Sequence, residues 1–417
     1  MKKLLIFFFI FSLAVLNSCS FDNKTGIWKE HNKKIIEKAK TGEDLERIFK
    51  TSETFNREIQ SDAPVLISSK KKITSWLEHN HNQANNVPHL NYHNNKNRIL
   101  KSKKIGKSSQ IKENVNFEPL VFKKDIFFYD LKGNVYRYST EREKLIWKFN
   151  FYKKKFKNVP IKINFKIISN NLIVADNLGY FYNINLNTGK LIWAKNQGVP
   201  ITSEIKSFNE KVFLLNQDNK FYIFQNKDGK KILDFETFPV ILKKNNRQTL
   251  ALDYKDNLYF VTSAGQVFSL NHENYKINWL KNLKVGGSGS EFGLFNSSPI
   301  ILKDNFVYIS SSQSTVAIDS LNGGTIWEIP FGTRIRPVIS GKSIFLISKE
   351  GFVLNVDNIS GKIIWSKKLF KSKDVNLKKM GEVTSLFLLS DQLFFTTKKG
   401  YFFFVNYKNG EIINYAK

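Results

Sequence analysis

A single cysteine in 417 residues excludes any internal disulfide, so the fold must hold by packing alone. Histidine is almost as scarce: of six, four fall at His79, His81, His89 and His93, and only His272 lies beyond them. No Ser-His-Asp arrangement for nucleophilic catalysis is evident, and the four clustered histidines match no zinc-ligand spacing. Their stretch is Asn-rich and also holds Trp76 and Pro88, which reads as a solvated, irregular lead-in to the first strand, with no metal. Phosphate loops are missing too. Gly286-Gly287-Ser288-Gly289-Ser290 lacks the Gly-Lys-Ser/Thr ending, and no helix pattern follows it. Acidic residues are the deficient sign, 36 against 65 Lys and Arg, for a net charge of +29. The excess is spread along the chain rather than gathered in one stripe, which argues against a nucleic-acid partner. Long apolar runs are absent: residues 4–16, interrupted only by Ser12, fall short of the roughly 20 needed to cross a bilayer.

That run follows Met1-Lys2-Lys3 and has the layout of a secretory signal over residues 1–18. It ends in Leu16-Asn17-Ser18-Cys19, which resembles a bacterial lipobox and implies that Cys19 is lipidated. The several acyl chains added at such a cysteine make a stable membrane anchor. Ser20, standing where an aspartate signals inner-membrane retention, points to outer-membrane delivery. Residues 19–61 read as a polar linker with a loose helical pattern over 34–49, broken at Thr41-Gly42.

Beyond it the texture changes to short apolar runs separated by turns, and one phrase recurs. It appears as Lys-Leu-Ile-Trp at Trp147 and Trp193, Lys-Ile-Asn-Trp at Trp279, Gly-Thr-Ile-Trp at Trp327 and Lys-Ile-Ile-Trp at Trp365. Degenerate copies stand at Lys231-Ile232-Leu233 and Glu411-Ile412-Ile413-Asn414. A spacing of roughly 38 to 49 residues is that of a four-stranded propeller blade. Between the phrases, inner three-strand units fall at 117–139, 160–186, 201–225, 240–270, 299–319, 338–357 and 383–407. Their hairpin turns hold Gly133, Gly179, Gly265, Gly351 and Gly400, where positive φ is needed. The expected fold is therefore all-β, a β-propeller of four-stranded antiparallel blades over residues 62–417.

The Asp/Asn-x-x-Thr/Ser-Gly-Lys-x-x-Trp phrase resembles the quinoprotein-type (PQQ-like) repeat. With the lipobox and linker, the chain resembles the BamB-like family of outer-membrane assembly lipoproteins. The resemblance implies that Trp147, Trp193, Trp279, Trp327 and Trp365 dock neighbouring blades. It also implies eight blades, whereas seven inner units are visible; residues 98–103 resemble an eighth outer strand without its tryptophan. Two readings stay open: a seven-bladed ring with a surplus strand, or a sequence ending before an eighth blade. The second would leave Phe387, Phe394, Phe395, Phe402 and Phe404 partly exposed.

Quinone-dependent dehydrogenases share the repeat, but their vicinal cysteine pair is missing here. The expectation is a non-catalytic scaffold with no cofactor and no small-molecule substrate. It would be lipid-anchored in the outer membrane, face the periplasm and have the β-barrel assembly machinery as partner. The family's partner contacts map to interblade loops 238–250 and 285–298, making Arg247, Glu291, Phe292 and Phe295 the candidate contacts. The alternatives are a PQQ-dependent oxidoreductase and a periplasmic ligand-binding or sensor propeller that uses its central channel as a pocket.

Overall fold

The computed structural model describes residues 55, 57–92, 105, 118–152, 156, 158–237, 247–283 and 295–417. Cys19, His93, the 98–103 segment, Glu291 and Phe292 lie outside the described residues. Seven four-stranded antiparallel sheets follow one another in chain order among the described residues. We number them blades I to VII, spanning 120–149, 163–196, 206–235, 250–282, 301–329, 338–368 and 383–416. The architecture is a β-propeller. In each blade the pairing of the third and fourth strands shifts register at the same place, between Arg137/Tyr138 in I and Phe404/Val405 in VII, for example. Such a bulge re-aims the residue beside it. In five blades that residue is the repeat tryptophan, paired across from Arg137, Asn183, Ser269, Ala317 and Asn355.

Each tryptophan docks the following blade through one device. The indole Nε1 donates to a turn carbonyl next door: Trp147 to Leu186, Trp193 to Asn226, Trp279 to Ser320, Trp327 to Asn358 and Trp365 to Tyr407, at 2.9–3.2 Å. The ring lies on a glycine of the same turn, Gly189, Gly229, Gly323, Gly361 or Gly410, each at φ between 68° and 75°. A Cβ there would stand 2.6–2.9 Å from the ring, so both backbone and space require glycine. Blade III departs on both sides: Leu233 replaces the tryptophan, and Tyr275, at φ 63°, holds the glycine position of blade IV. The two pack into one cluster, so a smaller knob meets a larger socket.

Six hydrophobic clusters fill the six successive blade interfaces, from Phe127–Phe165 between I and II to Phe345–Phe395 between VI and VII. Between VII and I no such cluster appears among the described residues, and both halves of the docking device are missing. Asn414 stands in the tryptophan position of VII, and Glu143, at φ 47°, in the glycine position of I. Phe387, Phe394, Phe402 and Phe404 are half-buried on that side of VII, and Ile126 and Phe128 on that side of I. Phe395 departs from the expectation. It is fully buried because strand alternation turns it toward blade VI, where it meets Phe370.

The axis of the ring is not open. Residues 66–92 thread it and bond to the first strand, or the turn beside it, in every blade. Trp76 exchanges both backbone bonds with Val121 of I, and the Leu77 carbonyl accepts from Ile167 of II. The Gln83 and Ala84 carbonyls accept from Leu252 of IV and Leu302 of V, and Leu90 donates to Leu388 of VII. Ser68 bonds Ser340 of VI, and Gln83 bonds the Ser207 carbonyl of III. The segment caps inner edges that would otherwise be left unpaired. The reading of this stretch as a solvated lead-in is thereby overturned. Asn85 is 0 % and His89 1 % exposed. Polar side chains bury here because strand backbone satisfies them: Asn85 donates to the Leu250 and Ile300 carbonyls at 2.8 and 2.9 Å. His89 Nε2 accepts from the Asp391 amide, so Nδ1 carries the proton donated to the Ser68 carbonyl.

Candidate functional site

The threading segment meets the first strands toward their C-terminal ends. At their N-terminal ends the channel widens into a funnel of about 510 Å³, on the face that carries the interblade connections. Its lining comes from the starts of first strands or the residues just before them (Asn164, Glu204, Thr249, Arg336, Val383), from turns (Asn177, Lys349, Lys398) and from His79 and Asn80 of the thread. The lining is drawn from blades at both ends of the chain and from the thread, so the site exists only once the ring is built.

Beneath the funnel lies a buried ionic cluster. Glu78 of the thread accepts from Lys166 of II at 2.9 Å and Lys206 of III at 3.2 Å. Lys206 also donates to the Asn85 side chain at 2.6 Å and the Asn82 carbonyl at 2.9 Å. Burial alone would raise the pKa of Glu78, but the two ammonium groups outweigh it and the net direction is down. Burial pushes Lys166 down against the same pair. Glu204, with Asn80 on one oxygen at 3.0 Å and Lys206 3.6 Å from the other, moves up, because burial dominates there.

In the funnel wall, Arg247 donates to Asn164 at 2.7 Å and lies 2.7 Å from the His79 imidazole. His79 in turn contacts Glu118. The Glu118 side chain is 43 % exposed to the funnel; enclosure by the surrounding walls would raise its carboxyl, but His79 and then Arg247 and Arg336 hold it at about 2. Glu78 and Glu118 thus ionise more readily folded than unfolded. Their contribution to stability is complete above the ordinary value of 4.5 and is lost as pH falls toward the folded values. From these two carboxylates, urea midpoints are expected to drop as pH falls below 4.5. Glu118→Gln should flatten part of that drop; a variant profile superimposable on the parent would exclude Glu118 from it.

The sequence candidates separate here. Arg247 lies in the funnel wall and is engaged within the chain. Phe295 is 8 % exposed, packed in the blade IV–V core with its amide bonded to the Ser263 carbonyl. It secures the end of its loop instead of offering a ring to a partner, because the apolar interface beside it out-competes solvent for the side chain. Sequence reasoning missed Glu78, Lys166, Lys206, Glu204, Glu118 and Arg336, none of which sits in a motif. Elsewhere, Asp256, His272 and Glu273 bring ligand-type atoms within 4.8 Å of one another. The Lys211 ammonium lies 3.3 Å from Glu273 and competes for that carboxylate, so the trio reads as an ion-paired turn.

The family model described as outer membrane protein assembly factor BamB matches residues 131–367. BamB of Shewanella oneidensis is 22 % identical over 248 residues, 58 % of this chain and 60 % of that protein. The match thus spans three-fifths of that relative's length. An uncharacterized protein of Rickettsia prowazekii, RP232, is 22 % identical over 329 residues, 77 % of this chain and 73 % of that one. Among solved structures, BamB from Moraxella catarrhalis superposes with a TM-score of 0.60 at 15 % identity, covering 75 % of this chain and 90 % of that one. A europium-containing methanol dehydrogenase superposes at 0.64 and 12 % identity, covering 82 % and 85 %, a likeness of fold alone.

Proposed function

Because the chain belongs to the family of outer membrane protein assembly factor BamB, we propose that it is a non-catalytic scaffold assisting insertion of β-barrel proteins into the outer membrane. The observation that supports this most is the family match itself, which runs from blade I through blade VI. In this reading the protein faces the periplasm, anchored through lipid at Cys19, with residues 1–18 a signal, 19–61 a linker and 62–417 the propeller. Its partner is the barrel-insertion machinery, met by the face carrying the interblade connections. Glu291, Phe292 and Arg247 are the proposed contacts; the burial of Phe295 removes it from that set.

Detergent-solubilised membranes should yield the protein together with a barrel-insertion complex. Recovery of soluble periplasmic enzymes alone would remove the reading. Cys19→Ala is expected to abolish palmitate labelling and to shift the chain out of the membrane fraction. Folding of the propeller should survive, since its described contacts begin at Phe55. Undiminished labelling in the variant would show that lipid is attached elsewhere.

A further inference from the structure

The funnel has a chemistry that scaffolding does not use. Six cationic side chains line it, Lys162, Arg247, Arg334, Arg336, Lys349 and Lys398, against the carboxylates of Glu118, Glu204 and Glu382. Those carboxylates are already engaged: Glu118 with His79, Glu204 with Asn80 and Lys206, and Glu382 with Lys398 at 2.6 Å and Lys349 at 3.6 Å. Arg336 is different. Its guanidinium lies over Phe387 at 5.2 Å and one nitrogen, Nη2, donates weakly to the Leu386 carbonyl at 3.4 Å. The other, Nη1, is buried with no hydrogen-bond partner. A buried donor on a charged group without an acceptor is costly, and an anion in the funnel would satisfy it.

We propose that the funnel is a binding site for a small organic polyanion, a free molecule bearing two or more carboxylate groups, with one of them on Arg336. The volume, about 510 Å³, suits such a ligand, and the threaded segment makes the channel a dead end with no through-path for a polypeptide. The half-buried Phe387 and buried Tyr129 supply apolar wall for a carbon skeleton, while Arg334 stands exposed beside them. The field of the wall favours more than one charge: a single carboxylate neutralises Arg336 but leaves the exposed Arg334 guanidinium without a counter-charge among the described residues.

Citrate is the probe, titrated into the full-length protein by calorimetry at ionic strength held constant with sodium chloride; succinate, acetate and inorganic phosphate are run alongside. Citrate is expected to bind saturably, one per chain, and to raise the melting temperature, with affinity falling from citrate to succinate to acetate. Arg336→Met should weaken citrate at least tenfold. Should that variant fail to fold, Ser297→Trp narrows the funnel while leaving every charge in place, and it should lose citrate binding at an unchanged unliganded melting temperature. Binding of phosphate as tight as citrate would assign the site to inorganic anions and overturn the carboxylate proposal. Heats no larger than those of sodium chloride would overturn it outright, as would citrate affinity unchanged in both variants. Membrane recovery of the partner complex is a separate readout, so either reading can fail without the other.

Discussion

Trp365→Ala is expected to lower the unfolding free energy by about 3–5 kcal/mol, the range for truncating a large buried aromatic side chain. The indole is 2 % exposed, donates to the Tyr407 carbonyl and lies on Gly410, so its removal opens a void and orphans a carbonyl at once. Gly410→Ala attacks the same contact from the other side. At φ 74° the new Cβ is strained, and it would stand 2.6 Å from the indole. Denaturant midpoints check both, and the pair should be non-additive because each change breaks one shared contact. Asn414→Ala is the internal control. It occupies the tryptophan position of blade VII but is exposed, so its effect should stay within about 0.5 kcal/mol. A loss at Asn414 equal to that at Trp365 would mean that blade docking is not what the tryptophans contribute.

Those positions were legible because repetition exposes them. The Trp phrase and its preceding turn recur about once per blade, and a contact made five times leaves five similar marks in the sequence. Even the exception was visible as a degenerate copy at Lys231-Ile232-Leu233, although its complement Tyr275 was not, since nothing in one sequence pairs the two. Phe395 was misjudged for a different reason. Phe394 and Phe395 are neighbours, and period-two alternation sends them to opposite faces, one half-buried and one buried. The threaded segment was illegible because burial was read from apolarity. Its Asn85 and His89 are buried by hydrogen bonds to backbone, and Asn80 by one to the Glu204 carboxylate, of blades far away in sequence, and such pairing leaves no periodic trace. The funnel shares that difficulty. Its wall residues run from His79 to Lys398, one or a few from each blade, and only ring closure assembles them.

The thread also makes the second large prediction, at Glu78. This carboxylate holds Lys166 and Lys206, which are 5 % and 0 % exposed as side chains. Glu78→Ala leaves two buried ammonium groups with only Glu204 nearby, 3.6 Å from Lys206. Breaking a buried ion pair from one side costs about 3–5 kcal/mol, since the orphaned charge keeps its desolvation penalty. Replacing both partners is another matter. A Glu78→Leu, Lys166→Met double variant removes the carboxylate with one of its two ammonium groups, leaving Lys206 beside Glu204 at 3.6 Å, and should lose less than Glu78→Ala. The loss should also be local first. Amide exchange at Ile167, Leu252 and Leu302, whose N–H groups donate to Leu77, Gln83 and Ala84 of the thread, should accelerate in Glu78→Ala under native conditions. Exchange deep in the sheets, at Leu346 for example, should change only by the global loss of stability. If the three reporter amides stayed as protected as in the parent while the midpoint fell, Glu78 would be acting on the ring as a whole and not as the clasp of the thread.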